Sequence, residues 1–94
     1  MSVVVVGGND RMVSLYKTIC REYKCRAKVF TQMPSEFEKQ IGNPDLMVVF
    51  TDTVSHKMVR SVNQRSEKGN IPVIRIHNAS ANALRTALEQ ATRV

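Results

Sequence analysis

Four times along the chain the same grammar repeats: an apolar, largely β-branched run of about six residues, a polar turn, and then a stretch with apolar side chains at helical spacing. A chain so patterned is a succession of βα units, and such units lay their strands parallel. The pattern predicts strands at Val3–Val6, Ala27–Thr31, Leu46–Thr51 and Val73–His77, and helices at Asp10–Tyr23, Ser35–Ile41, Ser55–Glu67 and Ser80–Arg93. With 94 residues the expectation is one α/β domain spanning residues 1–94.

Strand composition then orders the sheet. A strand covered on both faces reads as a continuous apolar run, whereas an edge strand alternates polar with apolar. The first strand is four valines and the third is Leu-Met-Val-Val-Phe, so both are central. The second sets Arg26, Lys28 and Phe30 against Ala27, Val29 and Thr31, and the fourth sets Val73, Arg75 and His77 against Ile74 and Ile76; both are edges. With right-handed crossovers this gives a four-stranded parallel sheet of order 2-1-3-4 in three α/β/α layers. Helices 1 and 4 cover one face and helices 2 and 3 the other.

The helices carry the matching stripes. Met12, Tyr16, Ile19 and Tyr23 share a face of helix 1, with Val13 and Cys20 beside them, and Leu84, Ala87, Leu88 and Ala91 share a face of helix 4. Pro34 and a Ser35–Glu38 capping box open helix 2, and Gly42 closes it. Helix 3 offers only Met58, Val59 and Val62 to a core and is expected to be the most exposed.

In an open parallel sheet of this order a ligand crevice lies beyond the carboxyl ends of strands 1 and 3. Two unusual polar turns border it: Gly7-Gly8-Asn9-Asp10-Arg11 after strand 1, and Thr51-Asp52-Thr53-Val54-Ser55-His56 after strand 3. Thr31 and Gln32 flank it on one side, and His77, Asn78 and Ser80 on the other. The glycine pair permits a sharp turn and, with the first N–H groups of helix 1, an anion-binding arrangement; glycine is also what any β-to-α turn favours. Neither a three-glycine dinucleotide fingerprint nor a P-loop is present. Asp10 in the first turn opposes an anion there, unless Arg11 folds back, and suits a ribose, a hydroxylated ligand or a metal better.

Asp52 and His56 stand four apart; the first reading of such a pair is that Asp52 and Ser55 cap helix 3, the second that the pair contacts a ligand, and the last that, with His77, it holds a metal or orients a base. No four-ligand set and no nucleophile–base spacing is recognisable, so no catalytic or metal residue is assigned, and the sequence leaves any cofactor unknown. Arg75, on the same side of its strand as His77, reads as a guard against edge pairing, a partner for a carboxylate on a second subunit, or an anion ligand. Two open edges make a homodimer the expectation.

The chain's formal charge of +6 directs attention to nucleic acid. Its cations group as Lys17, Arg21, Lys24, Arg26 and Lys28, and as Lys57, Arg60, Arg65 and Lys68. Lys24, Arg26, Arg65 and Lys68 fall at helix C-terminal ends, where cations complement the dipole, so much of the excess has a local explanation. Tyr16 and Tyr23 lie on the buried stripe, leaving Phe30 as the one candidate for base stacking. Cys20 and Cys25 are in no metal or redox spacing, and the first residues lack a signal-peptide pattern. No apolar run approaches the ~18 residues of a membrane helix. The compartment expected is cytoplasmic.

Val-Val-Gly-Gly at the first turn, Thr-Asp-Thr-Val-Ser-His after the third strand, Gly-Asn-Ile-Pro-Val before the fourth and a short final helix after Arg75 together resemble a family of short bacterial proteins and fusion domains known only as a domain of unknown function. The resemblance spans essentially the whole chain and implies a small Rossmann-like α/β fold with no established reaction. By position it singles out Gly7, Gly8, Asp52, Ser55, His56 and Arg75. Its pattern often has a histidine just past the glycine pair, where this chain has Asn9, which weighs against a metal. Asp52 also sits where a response-regulator receiver has its phosphoacceptor, yet a receiver needs a paired acidic site, a fifth strand and its lysine, and this chain has neither that strand nor a lysine after strand 4. Sugar-transport phosphocarriers place a cysteine in the first turn, whereas Cys20 here falls deep in helix 1.

These readings favour a non-enzymatic binding or regulatory module that holds a small polar or anionic ligand at the crevice through Gly7, Gly8, Asn9, Asp10, Arg11, Thr31, Thr51, Asp52, Ser55, His56, Arg75, His77 and Asn78. The alternative is nonspecific nucleic-acid binding by the basic surface; phosphotransfer or metal-dependent catalysis ranks below both.

Overall fold

The computed structural model describes residues 1–92; Arg93, the expected end of the fourth helix, lies outside them. In chain order the elements are β1 (Ser2–Val6), a 3-10 turn (Asp10–Met12), α1 (Val13–Glu22), β2 (Arg26–Phe30), α2 (Phe37–Ile41), β3 (Leu46–Phe50), a second 3-10 turn (Thr51–Thr53), α3 (His56–Gly69), β4 (Val73–Ile76) and α4 (Ala81–Thr92). The strands form one all-parallel sheet in the order β2-β1-β3-β4, as their compositions predict.

Register explains the two layers of core. Val3 and Val5 pair with Leu46 and Val48, and Val48 and Phe50 pair with Ile74 and Ile76. These side chains share the face on which Tyr16, Ile19 and Cys20 of α1 and Leu84 and Leu88 of α4 pack. The alternate residues Val4, Val6, Met47 and Val49 face the other way, onto Phe37 and Ile41 of α2 and Met58 and Val62 of α3. Every residue of β3 is buried, while β2 keeps Arg26 and Lys28 exposed and β4 keeps Arg75 exposed. Burying each of these large apolar side chains contributes about 1.5–3 kcal/mol before the cost of ordering the chain. On α3 only Met58 and Val62 of its 14 residues are buried, in line with its expected exposure; Val59 is half-buried.

Helix ends follow local chemistry. After α1, Lys24 turns left-handed (φ 59°), and the N–H groups of Lys24 and Cys25 return to the carbonyls of Arg21 and Cys20 at 2.9 Å each. This is a Schellman stop with lysine where glycine is usual. Asn70, at φ 51°, ends α3 in a related way, its own N–H reaching the Ser66 carbonyl and that of Ile71 the same oxygen at 3.0 Å. Gly42, at φ 66°, closes α2 as expected.

The capping box expected at Ser35 and Glu38 does not form. Glu36, left-handed at φ 53°, precedes α2 with no side-chain cap, and the Ser35 carbonyl instead accepts from Gln40 Nε2 at 2.9 Å. Glu38 pairs with Lys68 of α3 at 3.6 Å. Arg65 likewise leaves the end of its own helix and donates through Nε to the Gly42 carbonyl at 2.6 Å, and also to Asn43 Oδ1, tying α3 to the end of α2.

Candidate functional site

Beyond the carboxyl ends of β1, β3 and β4, the three outgoing loops are pinned to one another. Gly8 N–H donates to Thr53 Oγ1 at 2.8 Å, Asp52 N–H to the His77 carbonyl at 3.1 Å, and the Tyr16 hydroxyl to the Ala79 carbonyl at 2.7 Å. Tyr16 is fully buried, with its ring 5.2 Å from that of Phe50. Burial holds its hydroxyl above the ordinary phenol range, a bond involving Asn9 works the other way, and the Asp52 carboxylate adds to the rise.

The glycine pair is explained by what lies beneath it. Gly7 (φ 94°) and Gly8 (φ 89°) take a backbone that side chains rarely adopt. A Cβ on Gly7 would stand 3.0 Å from the Phe50 carbonyl oxygen, and one on Gly8 would stand 2.7 Å from the Tyr16 ring. The amides nearby are also engaged. Gly7 N–H donates to the Phe30 carbonyl at 2.8 Å, Arg11 N–H to Asn9 Oδ1 at 2.9 Å, Met12 N–H to the Asn9 carbonyl at 2.9 Å, and Val13 N–H to that of Asp10. The cradle of free N–H groups expected at the start of helix 1 is therefore largely taken up by the chain's own acceptors, the amides of Gly7, Gly8, Arg11, Met12 and Val13 all being engaged, and the first turn tightens into the 3-10 form.

Most of the other expected site residues are likewise committed within the fold. Asp10 accepts from the Thr31 hydroxyl and, at 3.2 Å, from Gln32 Nε2, which clasps the turn after β1 to the end of β2. Thr51 donates to the Ile76 carbonyl at 3.4 Å. Ser55 caps α3 by accepting from Met58 N–H at 3.2 Å; Asp52 takes no part in that cap and sits in the 3-10 turn. Asn78 accepts from Ser80 N–H at 3.2 Å, and Ser80 Oγ in turn from Ala83 N–H at 3.1 Å. Arg75 turns to α3, donating to Asn63 Oδ1 at 2.7 Å, so its guanidinium is held on the flank of the sheet rather than at the crevice.

Four expected side chains remain exposed without a hydrogen-bond or ion-pair partner among the described residues: Arg11, Asp52, His56 and His77. Among those residues no group of three His, Cys, Asp or Glu side chains comes together in a way that could hold a metal ion, so Asp52, His56 and His77 do not converge as a ligand set. Sequence reasoning missed Tyr16 and Thr53 as the links that fix this rim. A tyrosine on a buried stripe signals such a link, because its hydroxyl needs a partner once buried.

Phe30, the candidate stacking platform, is half-buried and meets Phe37 edge to face at 5.1 Å, so its ring belongs to the core. Both cysteines are buried and free, and burial pushes the Cys20 thiol up to about 11. No helix among the described residues is long and apolar enough to cross a membrane.

Comparison with curated proteins and with solved structures gives no match. A sequence profile does match residues 2–91, nearly the full length over which these turns, pins and strands are laid out, and by that match the chain belongs to the family described as an uncharacterized protein conserved in bacteria, DUF2325.

Proposed function

We propose that this chain is a non-enzymatic binding module that holds a small polar ligand at the rim beyond β1 and β3. The observation that supports this reading is the contrast between a pinned frame and four unengaged side chains. The loops after β1, β3 and β4 are tied through Thr53, Tyr16 and the Asp52 amide, while Arg11, Asp52, His56 and His77 are left facing solvent. A rigid support under polar groups with no internal partner lowers the cost of ordering them around a ligand.

The same contacts narrow the ligand. With the amides of Gly7, Gly8, Arg11, Met12 and Val13 engaged, few backbone N–H groups are left to receive a phosphate as in nucleotide-binding turns, and the Asp10 carboxylate opposes one there. Recognition falls to side chains of mixed character: a carboxylate acceptor, a guanidinium and two imidazoles. A molecule carrying both hydroxyl or amine donors and an acidic or carbonyl group matches that set.

The test is a thermal-shift panel of nucleotides and polar metabolites on the wild-type chain, Asp52→Asn and His56→Ala. A ligand that binds only the folded state raises the melting temperature. The reading expects at least one compound whose shift is lost in both variants. A shift retained in both variants, or no shift by any compound on the wild-type chain, contradicts it.

A further inference from the structure

At the opposite end of the sheet from that rim, a groove of about 320 Å³ runs between α1 and the edge strand β2, lined by Lys17, Arg21, Cys25, Arg26 and Ala27. Residues 17–28 hold five of the chain's 14 cations, Lys17, Arg21, Lys24, Arg26 and Lys28, and one carboxylate, Glu22. All five cations are exposed. None of them forms an ion pair with the described residues, and Glu22 is turned to Arg85 of α4 at 3.6 Å. The Cys25 thiol, pushed up by burial, stays neutral and offsets none of this charge.

We infer that this groove binds the phosphodiester backbone of a single-stranded nucleic acid, running along the β2 edge without reading its bases. Two features go beyond the charges that merely blunt an exposed strand. Edge protection needs cations on the strand itself, and Arg26 and Lys28 supply them. Lys17 and Arg21 stand on the helix, four residues apart on one face, where like charges repel; yet they line the same groove from the other side. Cations therefore flank the edge on both sides. The edge also presents donors. Arg26 N–H reaches the Met1 carbonyl and Gly7 N–H reaches that of Phe30, so residues 26, 28 and 30 point to β1, while Ala27 and Val29 direct their N–H groups outward together with their carbonyls.

A row of cations beside outward amides matches an anion whose charges recur along its length. The lack of base stacking follows from the aromatics: Tyr16 is buried, Phe30 is packed on Phe37, and no aromatic side chain lines the groove. Nucleic-acid affinity without stacking or base contacts rests on phosphate neutralisation, and it falls steeply with salt.

Fluorescence anisotropy with a labelled single-stranded oligonucleotide of mixed sequence, titrated at several salt concentrations, tests this. The wild-type chain is compared with Lys17→Glu/Arg21→Glu/Arg26→Glu, with the Gln triple variant at the same positions, and with Lys39→Glu/Arg60→Glu/Lys68→Glu, which makes the same charge change on α2 and α3. The expected result is low-salt affinity about tenfold or more weaker in both groove variants and less than about threefold weaker in the control, with the salt slope reduced by about 2 as three phosphate contacts are lost. Should the Glu variant fail to fold, the Gln variant carries the comparison. No binding by the wild-type chain at low salt, equal losses in the groove and control variants, or tighter binding of polyglutamate than of the oligonucleotide would overturn the assignment. The outcome does not depend on Arg11, Asp52, His56 or His77, so it stands or falls separately from the rim ligand.

Discussion

Gly8 and Gly42 both hold a positive φ, but their neighbourhoods differ. A Cβ on Gly8 would meet the Tyr16 ring at 2.7 Å, whereas one on Gly42 would meet nothing within 4 Å. Gly42→Ala therefore costs the backbone strain alone, about 1–3 kcal/mol. Gly8→Ala adds the displacement of a fully buried ring that also holds the Ala79 carbonyl, raising the total to about 3–5 kcal/mol. Urea unfolding of the two variants checks this, and equal losses would show that Tyr16 does not dictate the glycine. At this scale the sequence reveals residue types better than partners. Asp10 and Thr31 stand 21 positions apart and become neighbours only because β2 lies beside β1. Their mutual bond was legible solely as two polar residues bordering one crevice.

Among the elements, the two serines that precede helices show where a local motif succeeds and where it fails. Ser55 takes an extended backbone (φ −78°, ψ 157°) and accepts from Met58 N–H, as a good cap does. Ser35 has an equally good pattern, with Glu38 three residues on, yet left-handed Glu36 intervenes and α2 starts at Phe37. The packing that overrides the pattern is visible: Phe37 and Ile41 are buried on the sheet, with Phe37 against Phe30, and Glu38 is turned to Lys68. Ser55→Ala is expected to cost about 1 kcal/mol, and Ser35→Ala less than about 0.5 kcal/mol. Denaturant midpoints at constant m-value measure both. A loss at Ser35 as large as that at Ser55 would mean that the capping box contributes after all.

At the scale of the molecule, strand order was the most legible property, because burial on two faces demands an unbroken apolar run and no edge strand supplies one. The destination of charge was less so. Arg65 and Arg75 were readable as cations at a helix end and an edge, but their partners Gly42, Asn43 and Asn63 come from elements that only packing brings near. The same packing makes the two sides of the sheet unequal. The α1–α4 side has the buried Tyr16–Phe50 pair and two helices of 10 and 12 residues; the opposite side rests on a five-residue α2 with no side-chain cap and an α3 that buries Met58 and Val62 alone. A helix of five residues has almost no stability of its own and persists through the contacts of Phe37 and Ile41. Native-state hydrogen exchange is therefore expected to open α2 first, with the facing turns of α3 next, at free energies below that of global unfolding, while the amides of β1, β3 and α1 exchange only through the global transition. Phe37→Ala is expected to lower the opening free energy of α2 further and to leave the order of the other elements unchanged. Protection of Gln40 and Ile41 amides equal to that of Ile19 and Cys20 would show instead that both layers unfold as one unit.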